Sequence, residues 1–249
     1  MKPLATALVL IVLLCSPLIP LASAQTNHNL QWGVQVGDEI ILVLQRKLVD
    51  PAVAQYLVEY APIMMNISEG QRVIANVTFL SPIPSHINSS EQIPLSNCTL
   101  TRENDSVVVA RDLGMIVLPV GDYDFLTQIG NYTGGEGMSI IDDEEEWGTI
   151  MDRSFVIFLF TVTIHFEMRY LKANGTLSLM EANVNLSGND IIDIIFVRWR
   201  PGMTTVLPGG LQLLTIEIAA IAVVVAMGVV LLVWRRRQYV SLAETPVLP

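Results

Sequence analysis

The sequence predicts a mainly β (α+β) outer domain, a single curved antiparallel sheet with one or two short helices, followed by one C-terminal transmembrane helix. Three observations lead to this prediction. Two long apolar segments lie near the ends of the 249-residue chain. The region between them alternates apolar and polar residues with the period of two that half-buried strands show. The same region carries eight Asn-x-Ser/Thr sequons, which mark surface asparagines of exported proteins.

The first apolar segment has the three parts of a secretory signal peptide. Lys2 gives a basic start, residues 4–21 are apolar, and Ala22-Ser23-Ala24 is a small-residue exit. The alternative, a first transmembrane anchor, is disfavoured because two prolines inside the segment would break a spanning helix. A signal peptide is therefore predicted over residues 1–24.

The second apolar segment is long enough to cross a bilayer. About 22 residues at a rise of 1.5 Å give roughly 33 Å, against a hydrocarbon core of about 30 Å. Trp234 closes the segment where an interfacial aromatic residue is expected, and Arg235, Arg236 and Arg237 follow it directly. Because basic residues remain on the cytoplasmic side, the sequence predicts a single-pass type I protein of the cell membrane, with its N-terminal domain outside.

These segments divide the chain into five parts. They are a signal peptide (1–24), a β-rich extracellular domain (25–201), a stalk (202–210), a transmembrane helix (211–234) and a cytoplasmic tail (235–249). Within the predicted span, Ala222 and Ala226 have the small-xxx-small spacing that allows helices to approach closely. This spacing predicts weak homo-oligomerisation through the helix.

The outer region is acidic and holds one cysteine. Between Gln25 and Pro208 it carries 22 Asp and Glu against 10 Lys and Arg, a net charge of −12. Such a surface repels polyanions, so nucleic acid and anionic lipid are not expected partners. Once the signal peptide is removed only Cys98 remains, so no intramolecular disulfide is expected and the domain must be stabilised by packing.

The sequons form the clearest chemical pattern of the chain. Ser and Thr are 29 of 249 residues, so the 12 asparagines would give only about one or two sequons by chance. All eight lie between the apolar segments, on the side that the topology makes external. The pattern predicts glycosylation at Asn66, Asn76, Asn88, Asn97, Asn104, Asn131, Asn174 and Asn185.

Alternation predicts the individual strands. In residues 72–80, Val73, Ala75, Val77 and Phe79 share one face and are expected to be buried. The longest predicted strand covers residues 155–170. One of its faces is either core or the lining of an apolar-ligand cavity, and it comprises Phe158, Phe160, Val162, Ile164, Phe166, Met168 and Tyr170.

A hairpin and several shorter elements complete the predicted domain. Asn174-Gly175 lies between two apolar runs, which predicts a hairpin turn with a return strand over residues 176–186. Further strands are predicted at 39–46, 97–102, 107–111, 115–118 and 191–200, helices at 51–60 and 124–129, and loops at 81–96 and 131–146.

No catalytic residue, metal site or cofactor site is predicted. The sequence contains no nucleophile elbow, zinc-protease motif, phosphate loop or dinucleotide fingerprint. His28, His86 and His165 are expected to be solvated, and Cys98 is expected to be buried or modified. The acidic run Asp142-Asp143-Glu144-Glu145-Glu146 lacks the turn residues that separate the ligands of a calcium loop, so a solvated loop or helix start is predicted there.

Three short stretches resemble a known group of proteins. They are Trp32-Gly33-Val34-Gln35-Val36-Gly37-Asp38-Glu39, Leu118-Pro119-Val120-Gly121-Asp122 and Tyr170-Leu171-Lys172-Ala173-Asn174-Gly175-Thr176-Leu177. In these and in its layout the chain resembles uncharacterised single-pass surface proteins of archaea, notably Asgard archaea, which have an exported β-rich domain and a C-terminal transmembrane helix. The resemblance implies a source and an envelope location, and it brings no activity or site residues.

The sequence leads to two function hypotheses from different classes. The first is a cell-surface glycoprotein with a binding, recognition or structural role and no catalysis, whose partner is an extracellular protein, a glycan or the surface layer. The second is a membrane-tethered carrier of an apolar ligand, a lipid or lipid-modified protein, held in the cavity of the curved sheet. An enzyme of unrecognised type is a third.

Overall fold

The computed structural model describes residues 28–51, 53–54, 66–88, 92–129, 137–157 and 160–207. The predicted signal peptide, Asn131, Phe158 and the predicted transmembrane segment with Trp234, Arg235, Arg236 and Arg237 lie outside these residues. Within them, no helix is long and apolar enough to cross a bilayer.

One antiparallel sheet makes up most of the described domain, which confirms the mainly β prediction. Its strands are β1 (Glu39–Val49), β2 (Arg72–Leu80), β3 (Ser96–Arg102), β4 (Val108–Leu113), β5 (Met138–Asp142), β6 (Glu146–Ile157), β7 (Phe160–Leu171), β8 (Leu177–Leu186) and β9 (Asn189–Arg198). They lie in the order β4-β3-β2-β1-β9-β8-β7-β6-β5. Two meanders, β1 to β4 and β5 to β9, are therefore joined at the centre by pairing of β1 with β9.

The sheet buries one face in a single core. Alternate residues of the strands and of the connecting segments form this core face, including Leu42, Val73, Val77, Leu100, Val162, Leu177, Ile192 and Ile194. The opposite, outer face carries more polar residues, such as the cross-strand pairs Asn76 with Thr99 and His165 with Asn183. This division is the one that period-two alternation predicts.

In strand β2 the alternation of buried and exposed side chains breaks down after Val77. Val73, Ala75 and Val77 are fully buried, as predicted, but Phe79 is 47% exposed. The prediction for Phe79 was wrong because the register with β3 shifts between Val77 and Phe79. An extra residue at such a bulge turns all later side chains to the other face.

The long predicted strand at residues 155–170 is two strands. β6 ends at Ile157, β7 begins at Phe160, and these two residues pair across a hairpin. Alternation continues through the turn and no glycine, proline or asparagine marks it, so no local pattern indicates a break there. On β7, Val162, Ile164, Met168 and Tyr170 are buried, and Phe160 and Phe166 are half-buried against the same core.

Two other predictions near the middle of the chain were wrong. The strand predicted at residues 115–118 is irregular, because Met115 has a φ of +66° and Val117 makes only an isolated bridge to Thr176. The loop predicted at residues 131–146 contains β5, which pairs with β6 from Met138 to Asp142.

The short helix α1 (Tyr123–Ile129) confirms the helix predicted at residues 124–129. Asp122 caps it, since its Oδ1 accepts a hydrogen bond of 3.0 Å from the backbone N–H of Phe125. Phe125 and Leu126 pack into the core. Of the helix predicted at residues 51–60, residues 51, 53 and 54 are helical and the others lie outside the described residues.

One end of the sheet holds the β6–β7 turn, and the last described residues, 204–207, run towards it. The β3–β4 and β8–β9 turns lie at this end, which is called the exit end here. After β9 the chain turns back along β1. The backbone N–H of Trp199 donates to Ile41 O, and that of Leu207 donates to Gln45 O, both at 2.8 Å. Residues 204–207, in the predicted stalk, thus run along β1 towards the exit end.

Candidate functional site

Seven of the eight predicted glycosylation sites lie in the described residues, and none of the seven is buried. Asn66, Asn88 and Asn104 are exposed. Asn76 and Asn97, on the outer face of β2 and β3, are half-buried, as are Asn174 and Asn185. The surface positions expected from the sequons are therefore compatible with the fold.

Two of these asparagines have structural roles at turns. Asn185 donates through Nδ2 to Asp190 Oδ1 at 3.1 Å and accepts through Oδ1 from the Gly188 N–H at 2.8 Å. Asn174 Oδ1 accepts from the N–H and the hydroxyl of Thr176, which is only 1% exposed. A glycan is attached through the amide nitrogen, so modification of Asn185 would compete with its bond to Asp190.

A row of paired polar side chains crosses the outer face of β6 and β7. This polar ladder consists of Asp152, His165, Glu167, Arg169 and Glu146. His165 Nδ1 lies 2.7 Å from Asp152 Oδ1, and His165 Nε2 lies 3.6 Å from Glu167 Oε2. Arg169 pairs through Nε with Glu167, and its Nη1 lies 3.5 Å from Glu146 Oε2. The sheet register, which places Asp152 opposite His165, makes the ladder continuous.

The ladder is a charge-paired surface with a partly buried centre. The Glu167 side chain is only 9% exposed, whereas that of Asp152 is 64% exposed. The hydrogen bond to Glu167 is the main reason that the pKa of Arg169 is raised above its usual value. The Asp152–His165 pair has the geometry of the acid and the histidine base of a catalytic triad. The other ring nitrogen, however, faces Glu167 and not a hydroxyl nucleophile.

Three of the five ladder residues can be placed from the sequence. The alternation in residues 155–170 puts His165, Glu167 and Arg169 on the polar face of the predicted strand, opposite its apolar face. Their partners Asp152 and Glu146 belong to β6, whose first nine residues were assigned to no strand. Alternation of Trp147, Thr149 and Met151 with the residues between them is interrupted by Gly148, so the period-two signal was weak.

The acidic run forms the β5–β6 turn. Asp143 Oδ1 accepts from the backbone N–H groups of Glu145 at 2.9 Å and Glu146 at 2.7 Å, and these bonds lower the pKa of the Asp143 carboxyl. Lys172 Nζ lies 2.5 Å from Asp142 Oδ1 and donates to the carbonyl oxygen of Asp143. Within the described residues no group of three or more metal-ligating side chains comes together. The run is thus a turn held to the β7–β8 connection by one lysine.

An open polar groove lies at the exit end of β2 and β3. Residues 68–72 and 102–104 line it. Its two cations are paired, since Arg72 Nη2 lies 2.5 Å from Glu103 Oε2 and Arg102 Nη2 lies 2.7 Å from Asp105 Oδ2. Arg72 also lies 4.6 Å from the ring centroid of Trp199. Because these charges neutralise each other, the groove does not strongly attract an anion or a cation.

Cys98 is expected to be unreactive in the folded chain. It is fully buried on β3, and burial raises the pKa of its thiol to about 11. Since only the thiolate attacks, a maleimide at pH 8 should leave Cys98 unlabelled in the native protein and label it after unfolding in guanidinium. Intact mass spectrometry before and after unfolding measures this. Fast labelling of the native chain would contradict the buried position.

Comparison with known proteins gives no match to a family model, a curated protein or a solved structure. The function of the chain must therefore be argued from its own residues.

Proposed function

We propose that the chain is a single-pass type I membrane glycoprotein of the cell surface, whose outer domain acts by binding and not by catalysis. The observation that carries the proposal is the placement of the sequons: all seven in the described residues reach the surface of one β domain. The described residues end at 207, four residues before the predicted span begins at 211.

The distribution of the sequons indicates where a partner would bind. They lie on β2, β3 and β8, in the turns at the exit end, in the connection from β2 to β3 and, at Asn174, in the β7–β8 turn, whereas β5, β6 and β7 carry none. Asn185 lies opposite Thr163, so a glycan there would border the β7 side of the polar ladder. The β6 side of the ladder, at Asp152, lies further from the sequons, and its polar side chains suit recognition of a polar macromolecule such as a protein, a glycan or the surface layer.

The carrier hypothesis is less well supported by the contacts of the core face. Val162, Ile164, Met168 and Tyr170 are at most 8% exposed and belong to the same core as Leu177 and Ile192. Packed side chains leave little room for a ligand. Stoichiometric lipid released from the purified chain and detected by mass spectrometry would favour the carrier instead.

The topology is tested in intact cells with two variants that each add one cysteine to the buried Cys98. Val36, which is 60% exposed, and Ser241, in the predicted tail, are each replaced by cysteine. A membrane-impermeant maleimide should label V36C in intact cells and S241C only after the membrane is opened. Labelling of S241C in intact cells, with V36C protected, would show the opposite orientation.

Glycosylation is tested on the same chain by intact mass. Replacing Asn66, Asn88 or Asn104 with glutamine should each remove the mass of one glycan, because these three side chains are exposed. The matched control is N29Q, since Asn29 lies in no sequon. If none of the eight asparagines carries sugar, the glycoprotein assignment fails.

Binding at the polar ladder is tested by photo-crosslinking in the native membrane. A photoreactive residue replaces Ser154, which is exposed on β6 two residues from Asp152, or Glu39, which is exposed at the start of β1 and pairs with the sequon residue Asn76. Discrete crosslinked products are expected from position 154 and not from position 39. Products of equal yield at both positions, or at neither, would remove the ladder as the binding surface.

A further inference from the structure

An aromatic ring is exposed on the outer face of β2. In the part of the chain that the structure describes, Phe79 is the only aromatic residue among the exposed large apolar side chains. The register shift after Val77 turns it away from the core, and bulges of this kind are specific features of a fold that re-aim a side chain. The ring of Phe79 is therefore presented to whatever lies on the outer face.

The sequon residue Asn97 lies directly opposite this ring. Phe79 and Asn97 are partners in the β2–β3 ladder, so their side chains share the outer face. The Cβ atoms of directly opposite residues are about 4.5–5.5 Å apart. Since a glycan begins at the amide nitrogen of the asparagine, the first sugars on Asn97 would lie within reach of the ring.

The surroundings of Asn97 are more apolar than those of Asn76, the other sequon residue on this face. Leu95, two residues before Asn97, is 39% exposed, so an apolar residue lies beside Asn97 on the same chain segment and Phe79 lies across the ladder. Asn76 instead pairs with Glu39 on β1. Of the two glycans, the one on Asn97 is thus placed to cover apolar surface.

The side-chain amide of Asn97 is available for attachment of a glycan. Among the described residues, Asn97 forms hydrogen bonds only through its backbone, and its carbonyl oxygen accepts from the Thr78 hydroxyl at 3.1 Å. The amide of Asn185, by contrast, donates to Asp190 Oδ1. A glycan on Asn97 would therefore not compete with a hydrogen bond to any of these residues.

We propose that the first sugars of a glycan on Asn97 pack against the ring of Phe79 and stabilise the folded domain. The inference rests on the glycosylation proposed above. One face of a sugar ring carries mainly C–H groups, and these are attracted to the negative face of an aromatic ring. Packing of the two also removes apolar surface from water. This glycan would thus be part of the packed structure at the β2–β3 ladder.

The test is a double-mutant cycle on the full chain, purified with its sugars from cells that carry out N-glycosylation. It compares the unchanged chain, F79S, N97Q and F79S/N97Q. Intact mass should show the loss of one glycan in N97Q and of none in F79S. Both side chains lie on the outer face, so neither substitution removes core packing. The matched control replaces N97Q by N104Q, which removes a glycan from an exposed turn residue.

Packing of the glycan on the ring predicts that the two substitutions are coupled. In thermal unfolding in detergent, F79S should lower the Tm of the glycosylated chain by about 2–4 °C, and that of the N97Q chain by less than about 1 °C. In the N104Q chain, F79S should keep its full effect. Additive effects of F79S and N97Q would overturn the proposal. Coupling of F79S to N76Q in place of N97Q would also overturn it, because the neighbouring glycan would then cover the ring.

Intact mass separates this inference from the glycoprotein assignment. If other asparagines carry sugar and Asn97 carries none, the packing inference alone is overturned. If none of the eight asparagines carries sugar, both are overturned.

Discussion

Replacing Gly175 with alanine is expected to destabilise the outer domain by about 2–5 kcal/mol. Gly175 has a φ of +71°, which side chains other than glycine rarely adopt, at a cost of about 1–2 kcal/mol. A Cβ atom there would also collide with the carbonyl oxygen of Leu118 and would lie 3.0 Å from Val120 Cγ1. Because the first contact is backbone, it cannot be relieved by a rotamer change, and such overpacking adds about 1–3 kcal/mol.

Gly188 is the matched control for this change. It also has a positive φ, of +92°, but a Cβ atom there meets no non-neighbouring atom within 4 Å. G188A should therefore cost only the conformational part, about 1–2 kcal/mol. Thermal unfolding of the full chain in detergent, followed by tryptophan fluorescence, should show a Tm lowered by about 10 °C for G175A and by about 2–5 °C for G188A. Equal shifts would contradict the tight packing at Gly175.

The close packing at Gly175 explains why this hairpin could be predicted. Asn-Gly supplies the positive φ that the turn requires, and the apolar runs on both sides supply the strands. The sequence does not show that Gly175 also accommodates a backbone from elsewhere: the N–H of Leu118 donates to Gly175 O at 2.8 Å. That contact joins segments 57 residues apart, and single-sequence patterns contain only local information.

The missed strands have a similar explanation. β5 is five residues long and ends in the acidic run, and its first residues follow a glycine-rich stretch, so composition indicated a loop. β6 was overlooked as far as residue 154, and its last residues were joined to β7 because alternation continued through an apolar turn. Consequently the polar face of β7 was predicted, but its ion-pair partners on β6 were not.

The candidate surface was therefore only partly predictable. Sequons can be read directly from the sequence, and alternation placed Asn76 and His165 on the polar side of their strands. Bulges cannot be read in this way: the shift after Val77 exposes Phe79. Hairpin turns without turn residues cannot be read in this way either. Only the pairing of Ile157 with Phe160 shows that the chain reverses between these two residues.

Replacing Asp193 with alanine is expected to cost about 2–3 kcal/mol. Asp193 Oδ2 lies 2.9 Å from Arg46 Nη1, and the side chains are 5% and 26% exposed, respectively. Removing one partner of a fully buried pair costs about 3–5 kcal/mol, because the other charge is left in a poorly solvated place. The cost is reduced here because a quarter of the Arg46 side chain reaches water, which screens its charge.

Glu103 provides the matched comparison because it forms the same type of ion pair near the surface. The Arg72 and Glu103 side chains are 36% and 31% exposed, and pairs of this kind contribute at most about 1 kcal/mol. Arg72 also keeps its contact with the ring of Trp199 when Glu103 is replaced. In the thermal assay, D193A should lower the Tm by about 5–10 °C and E103A by less than about 4 °C. If the two variants unfold at the same temperature, burial of Asp193 does not strengthen its pairing with Arg46.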